Sequence, residues 1–259
     1  MQVRVNGRLL NCEIDGPDDA PVVTLCHSLA ANLDMWDPQV AVLRNSRRVV
    51  RFDCRGHGLS EVPPGPYTIG MMTEDVAGLL DVLGIRTTTF VGLSMGGMIG
   101  QVLAVEYPRY VEKLVLCDTS CRTDPEMAPI WEERIGTVES GGMAALVEGT
   151  LERWLTEDFR REKPDMTDQV RNMILRTPVA GYCECARAIG SFDVSAELGK
   201  ISAPTLIMVG EHDPATPPAM AELIREKIPG SRLLIVPGAL HLINIEAADF
   251  FNRGLLGFL

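Results

Sequence analysis

The stretch TTFVGLSMGG, residues 88–97, joins an apolar run to a helix-like segment through a turn of small residues. Gly92 and Gly96 stand two residues before and two residues after Ser94. A sharp strand-to-helix turn needs small residues at these places, and it exposes the serine oxygen where a base can reach it. The stretch therefore predicts a nucleophilic serine at the end of a buried strand. A glycine-rich turn with an incidental serine is the alternative, and the flanking strand and helix argue against it.

Short β-rich runs alternate with helix-like segments on both sides of this turn. Helical patterns at residues 72–83 and 95–106 separate the middle runs. This alternation predicts an α/β fold with a mostly parallel eight-stranded sheet and helices on both faces. The predicted strands are residues 2–5, 9–14, 22–26, 48–52, 88–91, 114–117, 205–209 and 233–236.

The strand signals stop between residues 121 and 197. This segment has the pattern of successive helices, at residues 127–139, 143–155, 166–175 and 181–189. A helical block inserted between two strands predicts a cap over the carboxyl edge of the sheet, where open α/β folds bind ligands. We therefore predict an α/β core formed by residues 1–120 and 198–259, and a helical cap formed by residues 121–197.

The base that must activate the serine can be sought by elimination, because the chain has only four histidines. Proteins with this turn carry the serine, the acid and the histidine in that order, and only His212 and His241 follow Ser94. His212 is next to Asp213, and neighbouring side chains in an extended turn point apart. His241 follows the last strand and precedes the final helix. We predict that His241 is the general base.

A histidine base needs a buried carboxylate that fixes its tautomer and stabilises the imidazolium. Asp213 follows a predicted strand within Gly210-Glu-His-Asp213-Pro, at the carboxyl edge of the sheet. We predict Asp213 as the acid. Asp118, at the end of an earlier strand, is the alternative, since some hydrolases take the acid from there.

Two backbone N–H groups stabilise the oxyanion in this kind of site. One belongs to the residue after the nucleophile, Met95. The other should come from the turn after the third strand, where Leu29 is the best placed. His27 lies in the same turn, and we expect it to shape this hole and to contact the substrate. His57, in a loop after the fourth strand, has the position of a residue that ties a loop together.

Composition limits the possible partners. The net charge of -11 disfavours nucleic acid, and no cluster of lysines and arginines counters it. No apolar run is long enough to cross a bilayer, and the first residues do not have the pattern of a secretory signal. Seven scattered cysteines fit reduced thiols. We expect a cytoplasmic protein without metal or other cofactor, and the predicted serine, acid and histidine favour a small ester or lactone as its ligand.

Nearly end to end, the chain resembles the 3-oxoadipate enol-lactonases of the α/β-hydrolase superfamily. Pro-Gly-Pro-Tyr-Thr-Ile at residues 64–69 and Asn-Ile-Glu at residues 244–246 point most narrowly to this group. The resemblance implies that Ser94 attacks the ring carbonyl of a carboxymethyl enol-lactone, and that water activated by His241 then releases 3-oxoadipate. The segments that carry the resemblance are residues 34–39, 53–60, 62–69, 92–97, 116–119, 177–182, 212–217 and 241–246.

The chain departs from these lactonases at two places. His27-Ser28-Leu29-Ala30 stands where they usually have Asn-Ser-Leu-Gly, and Ile243 stands where they usually have serine. The departures and the acidic surface favour a second interpretation, a general carboxylesterase or lactonase acting on small uncharged esters. A non-catalytic protein that binds a ligand or partner is a third class, and the complete set of serine, acid and histidine argues against it.

An anionic lactone would need a cation inside this acidic protein. Trp131 and Arg134 are three residues apart in the first predicted cap helix, so their side chains share a face. If that face lies over Ser94, Trp131 can form one wall of the pocket and Arg134 can bind the carboxylate of the substrate. The alternative is a solvated arginine at the surface, paired with a neighbour such as Glu132 or Glu133.

Overall fold

Eight strands form one sheet in the computed structural model, which describes residues 1–259. The strands are β1 (Gln2–Val5), β2 (Arg8–Asp15), β3 (Val22–Cys26), β4 (Arg48–Phe52), β5 (Thr88–Leu93), β6 (Val111–Cys117), β7 (Thr205–Gly210) and β8 (Arg232–Val236). Their spatial order is β1-β2-β4-β3-β5-β6-β7-β8. The pairs β1–β2 and β2–β4 are antiparallel, and all other pairs are parallel. The predicted α/β fold class with a mostly parallel sheet is confirmed.

Eleven α-helices accompany the sheet. They are α1 (Asp37–Leu43), α2 (Ile69–Val82), α3 (Met95–Glu106), α4 (Ala128–Gly141), α5 (Val147–Trp154), α6 (Glu157–Glu162), α7 (Pro164–Arg176), α8 (Val179–Gly190), α9 (Pro218–Lys227), α10 (Ile243–Glu246) and α11 (Ala248–Phe258). Helices α4 to α8 lie between β6 and β7, in the segment for which the sequence predicts a cap. None of the helices combines the length and the apolar character that a membrane span requires.

The central strands explain why the functional residues meet. Every residue of β5 and β7 is buried, so buried and exposed positions do not alternate along these two strands. Parallel strands end at the same edge of a sheet. The turns that follow β3, β5, β6, β7 and β8 therefore converge, and these turns carry most of the residues that the sequence singles out.

The segment at residues 64–69, one of the two that resemble the lactonases most specifically, contacts helix α8 of the predicted cap. The backbone N–H of Tyr67 donates to a carboxylate oxygen of Glu184 in α8, at 3.3 Å. Beside it, Gly181 of α8 lies against Gly56 so closely that a Cβ at position 181 would be 1.9 Å from the Gly56 carbonyl oxygen. The contact requires glycine and fixes α8 on the core.

Candidate active site

Ser94 lies at the tight turn between β5 and α3. Its φ of 56° and ψ of -115° are uncommon for any residue except glycine, and strain of this kind is typical of functional turns. A Cβ on Gly92 would be 2.1 Å from the carbonyl oxygen of Gly96, and a Cβ on Gly96 would be 2.2 Å from that of Cys26. The turn can therefore close only with glycine at both positions.

We expect Gly96→Ala to lower the free energy of unfolding by roughly 2–3 kcal/mol, because its Cβ would meet backbone that cannot move aside. The matched control is Gly136→Ala, an exposed position in α4 where a Cβ would meet nothing within 4 Å. This control should gain up to about 1 kcal/mol from the better helix former. Urea unfolding measures both values, and equal stability of the two variants would contradict the requirement for glycine.

The predicted acid and base form a buried hydrogen-bonded pair. Asp213 Oδ2 is 2.8 Å from His241 Nδ1. Asp213 also accepts hydrogen bonds from the hydroxyl of Thr216 at 2.6 Å and from the N–H of Ala215 at 2.8 Å. Burial acts to raise the pKa of Asp213, but His241 and these hydrogen bonds outweigh it and lower the pKa to about 2. The ionised carboxylate holds the proton of His241 on Nδ1, which leaves Nε2 as the basic nitrogen.

Ser94 and His241 line the same cavity. Their side chains are not directly hydrogen-bonded in this structure, and such bonds often tighten only when substrate is bound. Asp118, the alternative acid, accepts a hydrogen bond from the Gly210 N–H at 2.8 Å, whereas Nδ1 of His241 is bonded to Asp213. The geometry favours Asp213 as the partner of the base.

Glu246 fixes the loop that carries the histidine, a role that sequence reasoning missed. One of its carboxylate oxygens accepts the Leu240 N–H at 2.7 Å, and the other accepts the Thr156 N–H of the cap at 2.6 Å. Asn244 anchors the same region by donating to the carbonyl oxygen of Met35 at 2.8 Å. The Asn-Ile-Glu segment therefore holds the His241 loop in place. The sequence signal for this role was the match of the segment to the lactonases.

The turn after β3 is held by two buried histidines. His27 Nε2 accepts the N–H of Cys54 at 2.8 Å, and its Nδ1 is 2.7 Å from the Ser28 carbonyl oxygen. His57 Nε2 accepts the N–H of Ala30 at 3.1 Å, and burial lowers the pKa of His57 to about 3. Neither ring lines the cavity. The prediction that His27 contacts the substrate is wrong, because main-chain groups occupy both of its ring nitrogens.

The two predicted oxyanion donors have N–H groups free of protein acceptors. Leu29 lines the cavity, and its backbone N–H makes no hydrogen bond within the protein. Met95 is the first residue of α3, where the N–H has no acceptor within the helix. Directly after Leu29, Ala30 has a φ of 59°, a conformation that favours glycine. This explains why glycine is usual at that position in the lactonases.

A cavity of about 130 Å³ lies above Ser94 and His241, with cap helices forming much of its wall. About half of its lining residues are hydrophobic, and four are charged: Arg122, Asp124, Arg134 and Arg153. Arg122 forms an ion pair with Asp124 at 3.0 Å. Arg134 and Arg153 have no carboxylate partner. Two guanidinium groups are therefore left without an ion-pair partner in a protein of net charge -11, and the charge of Glu152 is the smallest of the influences on the pKa of Arg153.

The guanidinium of Arg134 lies 5.0 Å from the ring centre of Trp131, so the predicted pair shares one face and lines the cavity. Arg153, on α5, was not predicted. It is half-buried, and burial together with the charge of Arg134 lowers its pKa. The two cations repel each other, and an anion bound near both would relieve that repulsion. No spacing rule relates residues on two separate helices, so the sequence held no signal for Arg153.

One group of side chains has the composition of a metal site. Ligand atoms of Asp118, Asp213 and His241 all lie within 4.8 Å of one another. However, His241 Nδ1 and Asp213 Oδ2 are bonded to each other, so a cation binding there would have to displace that hydrogen bond. The group is better suited to proton transfer than to holding a metal.

A family profile described as alpha/beta hydrolase fold matches residues 21–248. The chain belongs to the α/β-hydrolase family. The 3-oxoadipate enol-lactonase 2 of Acinetobacter baylyi is 33% identical to it over 246 residues, which cover 95% of this chain and 91% of the relative. The crystal structure of the enol-lactonase from Burkholderia xenovorans LB400 matches with a TM-score of 0.96 and 39% identity, covering 100% of this chain and 99% of the other.

A relative with a different name is also similar along its whole length. A protein of Agrobacterium fabrum named "Putative carbamate hydrolase RutD" is 30% identical over 259 residues, covering 96% of this chain and 98% of that protein. All three similar proteins carry names of hydrolases. The resemblance to the enol-lactonases that the sequence predicts is confirmed.

Proposed function

We propose that this protein is a serine hydrolase that opens 3-oxoadipate enol-lactone through an acyl-enzyme. The observation that carries the proposal is the pair of unneutralised arginines, Arg134 and Arg153, in the cavity that Ser94 and His241 line. Their position suits a substrate with a reactive carbonyl at one end and a free carboxylate at the other. The similarity to named enol-lactonases supports the same substrate.

The reaction begins when Ser94 Oγ attacks the lactone carbonyl and gives its proton to His241 Nε2. Ionised Asp213 stabilises the imidazolium, and the N–H groups of Leu29 and Met95 stabilise the oxyanion. The ring oxygen leaves as an enolate, which takes the proton from the His241 imidazolium and becomes the ketone, so that His241 is neutral again. His241 then removes a proton from water, which attacks the acyl-enzyme and releases 3-oxoadipate while Ser94 regains its proton.

A carboxylate bound between Arg134 and Arg153 would neutralise positive charge whose partial burial costs free energy. Half-buried guanidinium groups lose part of their hydration, and an uncharged ester could not replace it. A carboxylate can accept paired hydrogen bonds from a guanidinium, which fixes its orientation as well as its position. The site is therefore better matched to an anionic lactone than to a neutral ester.

Arg134→Ala and Arg153→Ala test this substrate. Each should lower kcat/KM for the enol-lactone by roughly 30-fold, about 2 kcal/mol, and leave a neutral ester of similar size nearly unaffected. Steady-state kinetics on both substrates measures this selectivity. The matched control is Arg187→Ala, a cap arginine outside the cavity that pairs with Glu139 and Glu184.

Equal losses on the two substrates would contradict a carboxylate-binding role. The function would then be that of a general carboxylesterase or lactonase acting on small uncharged esters, with the same serine, acid and base.

A further inference from the structure

A second buried carboxyl group lies beside the acid of the site. Asp118, at the end of β6, is fully buried and has a φ of 41°. Its carboxyl group lies with Asp213 and His241 in a cluster whose ligand atoms are all within 4.8 Å. Oδ1 accepts the N–H of Gly210 at 2.8 Å. Oδ2 is buried and accepts no hydrogen bond from any donor in the protein.

The two carboxyl groups have unequal surroundings. Asp213 accepts hydrogen bonds from His241, from the Thr216 hydroxyl and from two backbone N–H groups, whereas Asp118 accepts one from Gly210. Like charges this close do not both ionise readily in a buried site, so the better-supported carboxyl takes the charge. Asp118 is therefore the member of the pair that stays neutral.

Other groups near Asp118 do not change this assignment. Burial, and then the charge of Asp213, raise the pKa of Asp118 well above its usual range, and the backbone N–H groups of Gly210 and Ile243 oppose this shift without reversing it. Cys117, the neighbour on β6, is buried, which raises the pKa of its thiol and keeps it neutral. The nearest group that can become positive is His241, and its Nδ1 is bonded to Asp213.

We propose that Asp118 is a positioning residue that keeps its proton and donates it from Oδ2 in a hydrogen bond to Asp213. This assignment rests on the proposed function, because it gives Asp118 its part in the same reaction. The bond holds the carboxylate of Asp213 in line with His241 Nδ1 while the imidazolium forms. It adds no second negative charge beside the base.

Turnover tests the positioning role. Asp118→Gly removes the carboxyl group without straining the positive φ. It should lower kcat about tenfold, the loss expected for one hydrogen bond to a charged group, and leave KM unchanged. Asp118→Asn can accept from Gly210 and donate to Asp213, and should restore kcat to within about threefold of the parent. Parent-like kcat in Asp118→Gly, or equal damage in both variants, would overturn the proposal.

The pH dependence of stability tests the proton itself and does not require turnover. Asp118 is neutral in the folded protein but ionises in the unfolded chain above about pH 4, so its contribution to stability falls as pH rises. Asparagine is neutral in both states. The Tm of Asp118→Asn should therefore exceed that of the parent by a margin that widens between about pH 5.5 and about pH 8.5.

A margin that stays constant or narrows over that range would mean that Asp118 is ionised in the fold, and would overturn the proposal. If the enzyme opened no lactone or ester, the proposed function would fail, while this measurement would still decide the protonation state of Asp118.

Discussion

Ser94→Ala and His241→Ala should each lower kcat for lactone opening by roughly a thousandfold or more while the fold stays intact. Without the serine oxygen no acyl-enzyme can form, and without the imidazole neither the serine nor the water is activated. The turnover that survives should come from the oxyanion donors and from substrate binding. Steady-state kinetics measures the loss, and circular dichroism checks the fold.

The matched control for Ser94→Ala is Ser120→Ala. Ser120 lines the same cavity, but the turn that strains and exposes Ser94 is absent there, and its loss should have little effect on kcat. A fluorophosphonate probe should label the parent and Ser120→Ala but not Ser94→Ala. Near-normal hydrolysis by a folded Ser94→Ala protein would refute the serine mechanism.

Asp213→Asn should lower kcat by roughly 10³–10⁴-fold. The amide keeps the size of the carboxyl group, but it removes the negative charge that stabilises the imidazolium. If its NH₂ group faces the ring, His241 must carry its proton on Nε2 and can no longer act as the base. The measurement is kcat at saturating lactone.

Asp118→Asn is the matched control, since it makes the same change in the neighbouring buried carboxyl group. Its effect should be within about threefold, because asparagine can keep both hydrogen bonds proposed for Asp118 and because Asp118 is not bonded to Nδ1 of His241. If Asp118→Asn proved the more damaging of the two, the acid would come from the end of β6, as in the alternative that the sequence leaves open.

The fold could be predicted because each strand corresponds to a local pattern in the sequence. Buried strands appear as apolar runs, and the serine turn needs glycine at positions 92 and 96 for reasons of space that hold wherever the turn occurs. The positions of Ser94, Asp213 and His241 at one edge then follow from the parallel order of the strands. Their chemical roles remain predictions for the variants to test.

The cavity wall could not be predicted in the same way. Arg134 and Arg153 lie on different helices, so only the packing of α4 and α5 brings both to the cavity. Glu246 binds Thr156 across 90 residues of chain. His27 stands in the predicted turn, but the direction of its ring depends on Cys54, in a separate loop. Each of these features depends on tertiary contacts that local sequence patterns do not encode.

The carboxylate of Glu246 has a consequence for how substrate preference can diverge in this lineage. It joins the loop of His241 to Thr156, just beyond α5, and the Leu242 N–H donates to the Trp154 carbonyl oxygen at the end of that helix. A substitution that shifts the backbone at the end of α5 would thus also shift the base, whereas α4 packs mainly on α8. Adaptation to new substrates should therefore proceed more readily through α4, where selectivity can change while the catalytic rate is preserved.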